Sequence, residues 1–137
     1  MSFLLDTNVV SQLRRPSLGG TKFRTWLAEH DLQASFISAI TLLELEYGAV
    51  QAMRKTLPHA GLLRAWIDDT VRPMFATRII AVDAEVATRA APLLSGHRDK
   101  YADILIAATA IAYDLTLVTR NVTDFRDANV RLLNPFD

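Results

Sequence analysis

The stretch LLDTNVVSQL, residues Leu4–Leu13, sets a carboxylate in the middle of an apolar run. Leu4 and Leu5 extend the apolar start, Asp6 interrupts it, Thr7 and Asn8 follow, and Val9 and Val10 resume it. The pattern predicts a short buried strand over Phe3–Leu5 and a helix over Val9–Arg14. Between them Asp6 suits a helix N-cap, because its carboxylate accepts hydrogen bonds from the free N–H groups of the first turn. The same place, at the carboxyl end of a strand, is also where open α/β sheets bind ligands. Which reading matters depends on whether other carboxylates occupy equivalent places.

Outward from this stretch the chain alternates short apolar segments with helical ones. RRPSLGG (Arg14–Gly20) breaks the first helix with Pro and paired Gly. Phe23, Trp26 and Leu27 have the i, i+3, i+4 spacing of a second, amphipathic helix. Ala34–Ile37 predicts a second strand. Ser38 or Thr41 then caps a helix through Leu42, Leu45, Tyr47 and Val50, with Glu44 placed as a capping-box partner of Thr41. Pro58 marks a break. A helix is predicted over Leu62–Val71, with Trp66 inward and Pro73 limiting it. A strand follows over Arg78–Val82, and Asp83 caps a helix through Val86 and Ala90. SGHRDKY (Ser95–Tyr101) is a polar loop, Ala102–Tyr113 a buried helix and Leu115–Thr119 a strand. Arg120–Asp124 is the loop after it, and Val130–Leu133 is the last strand. Such alternation implies an α/β fold with a mainly parallel sheet covered on both faces.

The 137 residues suit one domain with one core, over residues 1–137. Half of them are hydrophobic and 22% charged, which is globular material. Fifteen basic residues balance fifteen acidic ones, so a uniformly basic nucleic-acid coat is excluded while a local basic patch is not. There is no cysteine, which rules out disulfides and thiolate metal sites and leaves oxygen and histidine ligands. No signal peptide is recognisable, and no uncharged apolar run approaches the ~20 residues of a membrane span. A cytoplasmic protein without membrane contact is expected.

Three further acids stand where an apolar pattern does not ask for one. Glu44 lies in ITLLELEYG, and about 200° of helix separates it from Glu46, so that one can face a cleft while the other faces solvent. Asp103 lies in YADILIAATA, in the first turn of the most apolar helix. Asp124 lies in LVTRNVTDF, after a strand. Each has a plain alternative: a capping box or solvated face for Glu44, the helix macrodipole for Asp103, a turn for Asp124. Together they fall at strand ends or helix starts, where a parallel sheet opens. Carboxylates gathered there raise one another's pKa, and a divalent cation removes that penalty. Oxygen ligands favour Mg²⁺ or Mn²⁺, and the chemistry such ions suggest is phosphodiester hydrolysis.

The ordered set LLDTNVVS, ITLLELEYG, ADILIAATA and LTLVTRNVTDF spans nearly the whole chain and resembles the PIN-domain proteins. Within them it is most similar to the VapC toxin group of VapBC toxin–antitoxin modules, FitB-like members included. The resemblance implies a three-layer α/β/α sandwich and a Mg²⁺- or Mn²⁺-dependent endoribonuclease acting on RNA. It also implies a homodimer and a small VapB-like antitoxin, through which alone DNA would be contacted. By position, Asp6, Glu44 and Asp103 match the first three acidic ligands of the family. The fourth position is open. Some members carry an acid directly after the TR pair, where this chain has Asn121, and Asp124 is the nearest carboxylate. Thr119 and Asn8 are placed to hydrogen-bond the ligand carboxylates. Hydrolysis at such a site leaves a 5′-phosphate and a 3′-hydroxyl without using the RNA 2′-hydroxyl.

The remaining features carry less. His30, His59 and His97 lack paired spacing and read as surface residues. Arg14, Arg15, Arg98 and Lys100 suit phosphate contacts or a solvated face equally, and Arg120, next to the expected cleft, suits a phosphate or an antitoxin carboxylate equally. Trp26 and Trp66 read as packing anchors. There is no Walker A segment, and Ser11, Ser38 and Ser95 lack triad partners. The alternative function is a weakly catalytic or non-catalytic PIN-fold subunit of a DNA-binding regulatory complex. A structure-specific DNA nuclease is disfavoured by the neutral charge and small size.

Overall fold

The computed structural model describes residues 2–136. Five short strands, β1 (Phe3–Leu5), β2 (Ile37–Ser38), β3 (Ile79–Ile80), β4 (Thr116–Val118) and β5 (Leu132–Leu133), pair in parallel throughout. One ladder runs β1-β4-β5 and another β2-β3. A parallel bridge between Leu4 and Phe36 joins them, through Leu5 N–H to the Phe36 carbonyl and Phe36 N–H to the Phe3 carbonyl, both 2.9 Å. The sheet order is therefore β3-β2-β1-β4-β5, with β1 central.

Successive strand residues point to opposite faces, and the core divides accordingly. Leu5 and Val118 face one layer, with Val9, Val10, Phe23, Trp26, Leu45, Ala49, Ile67, Val71 and Phe75. These come from α1 (Thr7–Gln12), α2 (Thr21–Glu29), α3 (Ala39–Arg54) and the segment after α4 (Ala60–Trp66). Leu4 and Leu117 face the other layer, with Ile106, Ala107 and Ala110 of α7 (Tyr101–Ala112). Outside α7 lies α6 (Ala84–Leu94), whose Val86 and Ala90 pack on Ile104 and Ala108. Being covered on both sides, α7 is apolar nearly all round, which explains its Ala- and Ile-rich sequence. A short α5 (Arg72–Met74) lies between α4 and β3, with Pro73 in its first turn where no N–H is needed.

Several boundaries differ from the sequence expectation. The segment before β2 forms a 3₁₀ turn over Leu32–Ala34, capped by Asp31 onto Gln33 N–H at 2.9 Å, so the strand starts later, at Ile37. Ser38 is the cap of α3, accepting from Ile40 N–H at 3.0 Å. Thr41 is fully buried inside that helix, so the capping box of Thr41 with Glu44 does not form. The predicted helix over Leu62–Val71 relaxes into a π-helical segment at Ile67–Val71. Residues Val122–Ala128, only partly expected as loop, wind into 3₁₀ turns closed by Asn129 in the left-handed region. Asp83 caps α6 as expected, accepting from Val86 N–H at 2.9 Å.

Candidate functional site

The carboxyl ends of the parallel strands carry the polar residues. Asp6 follows β1 and is 3% exposed. Its backbone N–H continues the ladder to the Val118 carbonyl at 2.9 Å, and its Oδ1 accepts from Thr7 N–H at 2.8 Å, capping α1. The other oxygen, Oδ2, accepts from Thr119 Oγ1 at 2.7 Å and from Asn8 Nδ2 at 3.3 Å. Thr119 itself is fully buried at the end of β4 and accepts from Asn121 N–H at 3.0 Å. Asp6 is thus held from both sides by neighbours on α1 and after β4.

Glu44 is reached across the crossing of α1 and α3. Thr7 Oγ1 donates to Glu44 Oε1 at 2.6 Å and lies 3.1 Å from the Thr41 hydroxyl. The buried Thr41 fixes the Thr7 rotamer, and Thr7 fixes the exposed carboxylate. Glu46, on the other side of the helix, is not simply solvated. It pairs with Arg64 at 2.6 Å and Arg72 at 2.7 Å, which ties α3 to α4 and α5. Hydrogen bonds from Arg64 and then Arg72 hold its carboxyl down at about 2.

Asp103 stands half-buried in the first turn of α7. Burial pushes its carboxyl above the usual range, and the charges of Asp6 and then Asp124 push it further, against the pull of Lys100. Asp6 is also raised, first by burial, against the lowering donors Thr119 and Thr7 N–H, with the Glu44 charge adding to the rise. Electrostatic coupling therefore runs from Glu44 to Asp6, from Asp6 to Asp103 and from Asp103 to Asp124. Asp124 is exposed on the Val122–Ala128 turns, on the rim of a cleft of about 410 Å³ that Asp103, Lys100 and His97 also line. Asn121 is exposed at the start of those turns.

Among the described residues, no three His, Cys, Asp or Glu side chains converge tightly enough to hold an ion unaided. A pair of carboxylates is nonetheless enough for Mg²⁺, which keeps several waters and takes only one or two protein ligands plus phosphate oxygens. All-oxygen donors, with raised pKa values at Asp6 and Asp103, suit a hard dication. Thr7 is the functional residue that sequence reasoning passed over. Its place between Asp6 and Asn8 was the available signal, but its partners lie 34 and 37 residues away.

A PIN-domain family model matches residues 3–130. The chain is 35% identical over 138 residues to Toxin FitB of Neisseria gonorrhoeae, covering 97% of each. It is 28% identical over 139 residues to VapC ribonuclease Y4jK of Sinorhizobium fredii, covering 98% of this chain and 97% of the relative. Its fold matches a chain in the structure of FitAB bound to an IR36 DNA fragment with a TM-score of 0.82 and 31% identity, over 98% of this chain and 96% of the other.

Proposed function

This chain belongs to the PIN-domain family, and we propose that it is the toxin of a type II toxin–antitoxin module. In this reading it is an endoribonuclease that hydrolyses RNA phosphodiester bonds with Mg²⁺ or Mn²⁺. A cognate VapB-like antitoxin neutralises it. The observation that carries the reading is the buried Asp6 at the end of the central strand, coupled to Glu44 and Asp103 from two different helices. The similarity to proteins named as a toxin and as a ribonuclease supports the same activity.

Asp6, Asp103 and Glu44 would hold the cation, with Asp124 at the rim as the fourth acid. When bound, the cation would neutralise charge on the phosphodiester and lower the pKa of a water, so that hydroxide is available as the nucleophile. The chain's own residues keep the donors in place. Thr119, Asn8 and Thr7 N–H leave Asp6 a single orientation, and Thr7 Oγ1 aims Glu44. Aligned donors that need no reorganisation lower the barrier most effectively.

Protein partners are supported by the outer face of α3, where Leu43, Tyr47, Val50 and Met53 stand exposed in one stripe. An antitoxin and a second copy of the chain are the partners that fit the reading. A cytoplasmic location goes with it, and among the described residues no helix is long and apolar enough to cross a membrane. Induced expression is expected to arrest growth, and Asp6→Asn to relieve the arrest at equal protein level. The alternative, a non-catalytic subunit of a DNA-binding complex, draws support from the likeness to FitAB bound to DNA. It is favoured if Asp6→Asn leaves the growth phenotype unchanged.

A further inference from the structure

A second pocket of about 530 Å³ adjoins the acidic centre on the α1 side, lined by Asn8, Ser11, Gln12, Arg14, Arg15, Leu18, His59 and Arg120. Three arginines and a histidine line it, and no carboxylate does, in a chain whose net charge is zero. Elsewhere Arg64, Arg72, Arg89 and Arg131 are each neutralised by an acid, while Arg24, Arg54, Arg78, Arg98 and Arg126 make no ion pair among the described residues. Among the described residues, Arg14, Arg15 and Arg120 make no such pair. Two of them are braced instead by aromatic rings, Arg14 at 5.6 Å from the Trp66 centroid and Arg120 at 3.9 Å from Phe136. Arg120 also reaches Gln12 Oε1 at 3.3 Å. Such contacts orient a guanidinium without cancelling its charge.

The pocket is wired to the centre. Asn8 lines it, accepts from Arg120 N–H at 3.2 Å and donates to Asp6 Oδ2 at 3.3 Å. The cleft at the α7 end of the site carries Asp103, Asp124 and Asp127 against Lys100 and His97, and is acidic on balance. Charge is therefore segregated across the site, basic on the α1 side and acidic on the α7 side.

We propose that the Arg14–Arg15–Arg120 pocket seats a backbone phosphate of the RNA strand beside the bond that is cut. This rests on the nuclease reading, whose substrate it orients: the strand enters over α1 and its scissile phosphate lies above Asp6. Guanidinium forks match phosphate oxygens. The pocket is lined by Asn8, which donates to Asp6, so the anion placed to fill it is a neighbouring phosphate of the strand whose scissile phosphate lies at the acidic centre. Such contacts set affinity and register, not sequence.

The test is fluorescence anisotropy of a short labelled single-stranded RNA of mixed sequence, in EDTA, across a salt series. The proteins are the wild type, Arg15→Ala, the double variant Arg15→Ala with Arg120→Gln, and Arg89→Ala. Each phosphate contact contributes about 0.7 to the slope of log K against log salt. Because the pocket seats one phosphate, the double variant is expected to lose about 0.7 from that slope and Arg15→Ala a part of it. Arg89→Ala should match the wild type. Arg15 is exposed and its side chain supports nothing in the fold, so Arg15→Ala stays informative if the double variant unfolds. Unchanged RNA affinity in Arg15→Ala and the double variant overturns the proposal, as does a wild type that binds no RNA. Variants that lose an Asp- and Glu-rich peptide but keep RNA overturn it in favour of a protein ligand. Cleavage in Mg²⁺ is scored separately. Arginine-dependent binding without cleavage leaves the phosphate seat standing while the nuclease reading fails. Intact cleavage with arginine-independent binding does the reverse.

Discussion

Thr119 Oγ1 donates to Asp6 Oδ2 at 2.7 Å, joining the ends of two adjacent strands across 113 residues of sequence. Both residues are buried, and the same hydroxyl accepts from Asn121 N–H, so one side chain fixes the carboxylate and the start of the following turn. Thr119→Val removes both bonds, and a third accepted from Asn8 Nδ2 at 3.3 Å, at nearly constant volume. It should lower stability by about 1–3 kcal/mol, because the buried Asp6 carboxylate loses its shortest side-chain donor and keeps only Thr7 N–H and Asn8. Cation affinity should fall about 10- to 100-fold. Urea unfolding and calorimetric titration with Mn²⁺ check the two effects.

Asp103 has no hydrogen-bond partner among the described residues, while burial and the Asp6 and Asp124 charges raise its pKa. A carboxyl raised in the folded state above its unfolded value of 3.8 contributes stability only when protonated. That contribution is lost as pH rises through the folded pKa, so at neutral pH the ionised group opposes folding. Asp103→Asn should therefore raise the melting temperature by a few degrees in EDTA at pH 7. Adding Mn²⁺ should stabilise the wild type and leave Asp103→Asn nearly unmoved. Differential scanning fluorimetry reads both.

Glu46 behaves in the opposite sense. Arg64 and Arg72 hold its carboxyl at about 2, below its ordinary 4.5. Its contribution is present in full above 4.5 and is lost as pH falls towards 2. The arginines are 34% and 49% exposed, so screening reduces the gain to about 1 kcal/mol. Glu46→Gln should be less stable than the wild type at pH 7 by about that amount and converge with it near pH 2. Denaturant midpoints measured from pH 7 downwards check this.

Thr7→Val releases Glu44 without touching Asp6's backbone cap. It should reduce cleavage about 10-fold through kcat and leave KM for RNA near the wild-type value, since Thr7 aims a carboxylate and does not line the basic pocket. Steady-state cleavage of a labelled RNA separates the two constants.

Much of this molecule was legible in its amino-acid order. The strands expected over Phe3–Leu5 and Leu115–Thr119, found at Phe3–Leu5 and Thr116–Val118, and the buried Ala- and Ile-rich α7 follow from short apolar runs and composition. The acids stood out because each broke an apolar pattern. What was not legible depends on crossings between distant segments. Ser38 and Thr41 both suit the cap of α3 in the sequence; Ser38 takes that role, while Thr41 turns inward to meet Thr7 and forms no capping box with Glu44. Glu46 looks solvated until α4 brings Arg64 to it. The late start of β2 reflects an aspartate side chain closing a turn that competes with the sheet. Pairing of distant side chains has no period, so no window of sequence reveals it.

The most direct measurement is cleavage of 5′-labelled RNA by the purified wild type and by Asp6→Asn, with the cation removed by EDTA and restored as Mg²⁺ or Mn²⁺. A wild type that cuts only with the dication and leaves 3′-hydroxyl ends, beside a folded Asp6→Asn slower by more than about 100-fold, is the predicted result. Cleavage that persists in EDTA, or an Asp6→Asn protein as active as the wild type, would contradict it.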